Sequence, residues 1–311
     1  MGFIRQIAEH EARLEAGNAQ RLGAEIAFPT GTHSSNRAAV AGRDGVLFIA
    51  DGQNKWEMQL AGIMPAGPPW VKTWQDALRD RQMICARDGI ALAHLVMPEK
   101  QILLPHLRWA EAAPTAFPGR PLRRIPWDVA GPIGLIYPEA DFAAARDWSG
   151  LYWRRNSHCL PSSCLIATRR LLTAYGLAES LDDSAIDVVE RPARHDLIAH
   201  FLHPAPTEDG LAIRRPGETL LHKDGRAEGK SLRGSRYVIR NRAAKVAAPL
   251  AIFGDSYSWD GVGLGEALAY MFQEVHFIWQ KDIDWSYVAS HGIRFLLWES
   301  AERFLGMPPR S

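Results

Sequence analysis

The sequence predicts an α/β fold with a mainly parallel sheet, and three stretches carry that prediction. Leu250 to Phe253 is an apolar run that breaks at Gly254-Asp255-Ser256, after which Leu264, Ala267, Leu268, Met271 and Phe272 share one helical stripe. A helical pattern over 70–87 leads into an apolar strand over 90–97, the order of a βαβ unit. The end of the chain alternates again, with a strand over 275–279, a helix over 285–290 and a strand over 293–298. The 311 residues are enough to bury a sizeable core, and they read as one domain, 1–311.

Taken in order, the chain opens on a helix in which Phe3, Ile4, Ile7 and Leu14 alternate with charges. This opening lacks the apolar core of a signal peptide, so the protein as written reads as cytoplasmic. Residue 6 is Gln, which removes a myristoylation signal. A turn-rich passage follows, then a buried strand over 45–50 closed by Asp51-Gly52. Trp74, Ala77, Leu78 and Met83 give the next helix its stripe, and Pro98-Glu99-Lys100 ends the strand behind it. Residues 106–147 are rich in Pro and Ala and read as a long surface connection. Pro161 suits the first turn of a helix over 162–175, which leaves His158 in the loop just before it. Short apolar alternations between 186 and 242 read as a β-rich insertion beside the main sheet, and a short helix through Arg303 closes the chain.

Composition excludes several classes. Lys plus Arg number 36 against 35 Asp plus Glu, which is no nucleic-acid signature. Between Arg214 and Lys245 ten basic residues face three acidic ones, either a solvated loop face or a groove for an anionic partner such as an acidic glycan. No apolar run approaches the roughly 20 residues that span a bilayer. Three cysteines, Cys85, Cys159 and Cys164, make no disulfide framework, although a Cys159–Cys164 bridge stays open.

Ser256 stands at the C-terminal edge of a strand, where a turn gathers backbone N–H groups, and so is a candidate nucleophile. Such a serine needs a base to take its proton, and the base needs a group to hold its ring. His158 is the candidate base, with Asn156 two residues before it in reach of Nδ1. His158, Cys159 and Cys164 also suggest a metal set, but a fourth ligand of suitable spacing is missing, so neither metal nor cofactor is expected. Eleven tryptophans include Trp153, Trp259 and Trp285 near the site or at strand ends, where rings could stack on sugar faces.

Seven segments in order resemble the alginate O-acetyltransferase family, the AlgX/AlgJ-like group with an SGNH-hydrolase-like fold. They are Gly45-Val46-Leu47-Phe48-Ile49, Val96-Met97-Pro98-Glu99-Lys100, the YWRRNSHCLPSSC run at 152–164, Asp196-Leu197, Ile252 to Ser258, Glu274 to Asp284, and Glu299 to Leu305. His158 precedes Ser256, as in the acetyltransferase group and unlike ordinary SGNH hydrolases. The resemblance implies a three-layer α/β/α domain and an O-acetyltransferase that carries its acetyl group on Ser256, with His158 as general base. It implies an oxyanion turn of Gly254, Asp255, Ser256 and Tyr257, each donor of such a hole being worth roughly 3 to 4 kcal/mol. The implied partners are a polysaccharide or oligosaccharide acceptor, an acetyl donor and proteins of a polysaccharide assembly, in the periplasm if an export signal is removed.

Two positions depart from the family. Asn156 stands where it has the triad aspartate, and Cys159 where it usually has tryptophan. Asn accepts from an imidazole N–H but lacks the charge that stabilises an imidazolium. The alternatives are another acid such as Asp260 or Glu299, a slow Ser256–His158 dyad, a carbohydrate esterase, or a non-catalytic glycan-binding or scaffold subunit.

Overall fold

In this computed structural model, all residues are described except 1, 53–54, 65–66, 110–116, 118, 223–233, 260 and 310–311. Asp260 and the middle of the basic 214–245 stretch therefore lie outside the described residues. In chain order the elements are α1 (Gly2–Leu22), β1 (Ala39–Ala41), β2 (Leu47–Ile49), α2 (Trp56–Leu60), α3 (Pro68–Asp88), β3 (Ala91–Met97) and α4 (Lys100–Leu103). Then come β4 (Leu135–Ile136), α5 (Glu139–Ala145), α6 (Pro161–Ala174), β5 (Val188–Ala193), β6 (Glu208–Ile213), β7 (Glu218–His222) and β8 (Arg236–Arg240). The chain finishes with β9 (Leu250–Gly254), α7 (Leu264–Ala269), β10 (Glu274–Trp279), α8 (Trp285–Ser290) and β11 (Phe295–Ala301).

Seven strands make the main sheet in the order β4-β3-β11-β9-β10-β8-β7. The five from β4 to β10 are parallel, and the β7–β8 hairpin joins β10 antiparallel. Side chains alternate across a strand, so each parallel strand feeds two cores. Leu250 and Ile252 of β9 join the α6 and α7 side chains Leu165, Leu172, Leu264 and Leu268, whereas Ala251 and Phe253 join Trp74 and Leu78 of α3 and Val288 of α8. Helix α3 stops where its apolar stripe does: Gly89, at φ 63°, is a left-handed cap whose N–H reaches Cys85 O.

The strand read over 45–50 is buried as β2 and pairs with β1 in a separate two-stranded sheet. Three sequence expectations need correction. Residues 106–147 are not a plain surface connection. Leu122, Ile125, Ala130 and Phe142 are core, and β4 extends the main sheet. Pro and Ala concealed this because the buried residues come singly, between tight 3-10 turns, without a helical or strand period. The 186–242 stretch divides: β5 and β6 form their own hairpin sheet, while β7 and β8 enlarge the main one. The closing helix through Arg303 is a single 3-10 turn, Glu302–Phe304. Among the described residues no helix is long and apolar enough to cross a membrane.

Parallel order leaves the C-terminal ends of β3, β11 and β9 side by side. Glu99 and Lys100, Glu299 to Ala301, and Asp255-Ser256 therefore emerge at one edge of the sheet.

Candidate active site

The Ser256 turn is held by side chains from the neighbouring strand end. Asp255 caps the 3-10 turn Ser256–Ser258, its Oδ1 accepting from Tyr257 N at 3.0 Å and its Oδ2 from Ala301 N at 2.7 Å. Glu299 Oε2 accepts from Asp255 N at 3.1 Å and from Ser258 Oγ at 3.0 Å. Burial, with the Asp255 carboxylate beside it, pushes Glu299 well above the carboxylate range. Gly254 is needed here because a Cβ would lie 2.5 Å from Glu299 Oε2. Glu299, one of the acids considered for the histidine, is thus committed to the Ser256 turn.

His158 arrives from a tight loop between α5 and α6. Leu160 N donates to Leu151 O at 2.9 Å, and Tyr152 faces Cys159 in an isolated antiparallel bridge, which closes the base of this loop. Its tip is tied from inside by Lys100, whose Nζ donates to the carbonyls of Leu47 (2.9 Å), Trp153 (2.7 Å), Arg154 (3.3 Å) and Asn156 (2.6 Å). Asp196 takes the other side, accepting from Ser157 N at 2.7 Å and Ser157 Oγ. Tyr257 links loop and turn: its OH donates to Ser157 O at 3.0 Å, and its ring meets His158 edge-on at 5.1 Å.

This scaffold puts His158 Nε2 2.7 Å from Ser256 Oγ, with both residues half-buried and open to solvent on one side. Asn156 Oδ1 lies 3.0 Å from the His158 backbone N and 2.7 Å from Nδ1. The backbone N–H can only donate, so the atom facing it is the amide oxygen, and the same oxygen then accepts from Nδ1–H. Nε2 is therefore bare and points at the serine. This is the tautomer a general base requires. Burial lowers the His158 pKa, with Arg303 and Lys100 adding to the shift and Asp196 and Asp255 opposing it. At neutral pH the ring is accordingly uncharged. Asp196 itself titrates lower than an ordinary carboxyl: desolvation works against this, but His158 and the two Ser157 hydrogen bonds outweigh it.

The turn has committed most of its amides. Asp255 N–H goes to Glu299 and Tyr257 N–H to Asp255, which leaves the Ser256 N–H as the turn's donor for an incoming oxygen. Tyr257 thus holds loop and turn together through its hydroxyl, and its N–H is occupied.

The other candidates are placed elsewhere. The Cys159 and Cys164 Sγ atoms lie 3.2 Å apart as buried free thiols, while both His158 ring nitrogens are engaged by Asn156 and Ser256. A cluster of Glu15, His195 and Glu208 has the composition of a metal set, but the Arg155 guanidinium already fills it, Nε at 2.7 Å from Glu208 and Nη2 at 3.3 Å from Glu15. Trp153 and Trp259 are buried, the latter among Tyr237, Phe277 and Trp279, so neither face is free for a sugar. Three residues at the site were not singled out as site residues from the sequence: Lys100, read as a strand end, Asp196, named only within a resembling segment, and His195.

No family model and no curated protein matches the sequence. Solved structures do resemble it. A DHHW family protein from Eubacterium siraeum has a TM-score of 0.58 at 11% identity, covering 90% of this chain and 96% of its own. The O-acetyltransferase domain of Pseudomonas putida AlgJ has a TM-score of 0.56 at 15% identity, covering 87% and 92%. Bacillus cereus PatB1 has a TM-score of 0.56 at 12% identity, covering 78% and 92%. The chain therefore shares its fold with these proteins, including one O-acetyltransferase domain, and the family resemblance read from the seven segments agrees with that fold.

Proposed function

We propose that this protein is a serine O-acetyltransferase that moves an acetyl group onto a hydroxyl of a polysaccharide or glycan precursor, on a three-layer SGNH-like scaffold. The observation that carries the reading is the 2.7 Å contact between Ser256 Oγ and a His158 Nε2 left bare by Asn156. The AlgJ O-acetyltransferase domain, built on the same fold, supports the choice of acyl group, and the acceptor class rests on the family resemblance of the seven segments.

In the first half-reaction Ser256 Oγ attacks the donor's acetyl carbonyl while its proton passes to His158 Nε2. The Ser256 N–H faces the developing oxyanion, and the imidazolium then gives its proton to the departing donor oxygen, leaving acetyl-Ser256. In the second half-reaction a sugar hydroxyl loses its proton to His158 and attacks the acetyl carbon. Collapse returns the proton to Ser256 Oγ and releases the O-acetyl sugar. Asp196, solvent-reaching and ionised, stabilises the imidazolium in both halves.

Water in place of the sugar hydroxyl would make the same site a carbohydrate esterase, so acceptor competition distinguishes the two. Incubation with 4-nitrophenyl acetate followed by intact-mass measurement tests the common step. One acetyl per chain, absent in Ser256→Ala and in His158→Ala, is expected, with transfer to added oligosaccharide exceeding hydrolysis. A chain that takes no acetyl group and turns nothing over would instead be a binding or scaffold subunit.

A further inference from the structure

Asn156 uses both ends of its side chain. Oδ1 is fixed towards His158 by the backbone N–H, as derived above, so Nδ2 faces the opposite way, 3.0 Å from His195 Nδ1. An amide nitrogen can only donate, so His195 Nδ1 is an acceptor and the single proton of that ring sits on Nε2. His195 is buried, with its ring tilted against Trp153 at 5.3 Å and its Nε2 3.6 Å from Glu208 Oε2. Glu208 is itself buried and gripped by Arg155, so a negatively polarised group faces the Nε2–H. Burial draws His195 down to about 4, which keeps the ring neutral and Nδ1 bare at neutral pH.

We propose that His195 is a positioning residue of the acyl-transfer site. By accepting from Asn156 Nδ2 it holds the amide with Oδ1 towards His158, and thereby keeps the bare Nε2 of His158 on Ser256.

The need for such a residue follows from the chemistry of asparagine. A triad aspartate has two equivalent oxygens, and rotating it by half a turn changes nothing. Rotating an asparagine presents an N–H to His158 Nδ1, which forces the ring proton onto Nε2, where it faces the serine and abolishes base catalysis. One end of the amide must therefore be specified. The His158 backbone N–H does part of this, and His195 does the rest from the far side. Ser256, His158, Asn156 and His195 thus form one line of hydrogen bonds with a single sense, with the Glu208–Arg155 pair behind it, Glu208 Oε2 3.6 Å from His195 Nε2.

The kinetic consequence rests on the acyl-transfer reading, so the test has one arm that does not. In protein labelled with 15N histidine, nitrogen shifts should show His195 protonated at Nε2 and bare at Nδ1, and His158 the reverse. In His195→Ala the His158 pattern should become a mixture of tautomers. Single-turnover acylation of Ser256 by 4-nitrophenyl acetate forms the second arm. His195→Ala should lower the rate constant about tenfold, the equivalent of one hydrogen bond, with ester affinity unchanged. His195→Asn, whose Oδ1 takes the place of Nδ1, should recover most of it. In an Asn156→Asp background, His195→Ala should no longer lower the rate, because a carboxylate has no wrong end and loses with His195 only the cation that draws its charge away from His158. Equal losses in both backgrounds, or a wild-type His195 protonated at Nδ1, would overturn the proposal. If the nitrogen shifts agree but Ser256 takes no acetyl group, the positioning stands and the acyl-transfer reading is the one that fails.

Discussion

Replacing Asn156 with Asp tests how much of triad chemistry is tautomer and how much is charge. In serine proteases the reverse change, Asp to Asn, costs about 10⁴-fold, because the histidine is left in the wrong tautomer. Here the tautomer is already right: Oδ1 accepts at 2.7 Å from Nδ1, and a carboxylate would accept in the same place. Only charge remains to be gained. Two unit charges about 4 Å apart at an effective dielectric of 20 interact by about 4 kcal/mol. The site is open to solvent on one side, Asp196 already acts on His158, and the neighbouring His195 would take up a proton beside a new carboxylate. These reduce the gain to roughly 1 to 2 kcal/mol, or about 5- to 30-fold in rate. The sign of the pH effect follows from the same charge. Burial now holds His158 below its usual pKa, and a carboxylate at 156 would raise it. The acid limb of Ser256 acylation should therefore move to higher pH, with the gain present at pH 8 and shrinking towards pH 5. Single-turnover acylation by 4-nitrophenyl acetate over that range measures both. A gain near 10⁴ would refute the reasoning, since it would mean that Asn156 had been holding the wrong tautomer. An unmoved acid limb would mean that position 156 does not act on His158 at all.

Three further outcomes follow from neighbouring groups. Glu299→Gln should cost at most about threefold in acylation, because the neutral amide keeps an oxygen for Asp255 N and Ser258 Oγ; a loss beyond about 10³-fold would make Glu299 the acid that serves the histidine. Lys100→Met removes the ammonium from the carbonyls of Leu47, Trp153, Arg154 and Asn156, of which Arg154 O keeps the Leu47 N–H at 2.8 Å, and should lower stability by about 2 to 4 kcal/mol in urea unfolding, with acylation falling as the loop loosens. Burial raises Glu11, which accepts from Ser162 N and Oγ, to about 8, so its folded pKa exceeds the unfolded one. Its contribution is then complete below about pH 4.5 and is lost as pH rises through about 8. Melting temperature should fall over that window, and Glu11→Gln should flatten part of the fall.

Much of the fold was legible because parallel strands here are apolar and their helices carry clean stripes. Leu250 to Phe253 with its turn, and 90–97 after the helix, landed on β9 and β3 within a residue or two. The 106–147 stretch was not, because its buried side chains come singly between Pro-set turns. The pair Ser256 and His158 was readable from the strand edge and the helix start, and Asn156 from its place two residues before the histidine. Its electrostatic setting was not. Lys100 and Asp196 reach the loop across 56 and 39 residues of sequence, and His195 meets Asn156 over the same 39, distances at which spacing carries no information. Burial hid the tryptophans' role in the same way: Trp259 sits next to the nucleophile's turn in sequence, yet its ring fills the core.

Charge around His158 gives a reason for asparagine at 156. The ring lies in the field of Asp196 and Asp255 and of Arg303 and Lys100, two negative groups against two positive. Just beyond Asn156, Glu15 and Glu208 share one arginine, with His195 between them and the amide. A carboxylate at 156 would add a third negative group around the histidine and face a second acidic cluster that Arg155 already has to neutralise. Buried like charges of this kind are relieved by taking up a proton, and the nearest acceptor is His195. The pair would then be an ion pair whose positive end draws the new charge away from His158. Asparagine keeps the acceptor and avoids the extra charge, and Asp196 supplies the field that a triad aspartate would otherwise give. In the proposed mechanism, the orienting and the charge-stabilising roles that one aspartate joins in the usual triad fall to Asn156 and Asp196. Asp196→Asn should accordingly lower acylation while leaving the His158 tautomer intact, whereas His195→Ala should disturb the tautomer and leave the field in place.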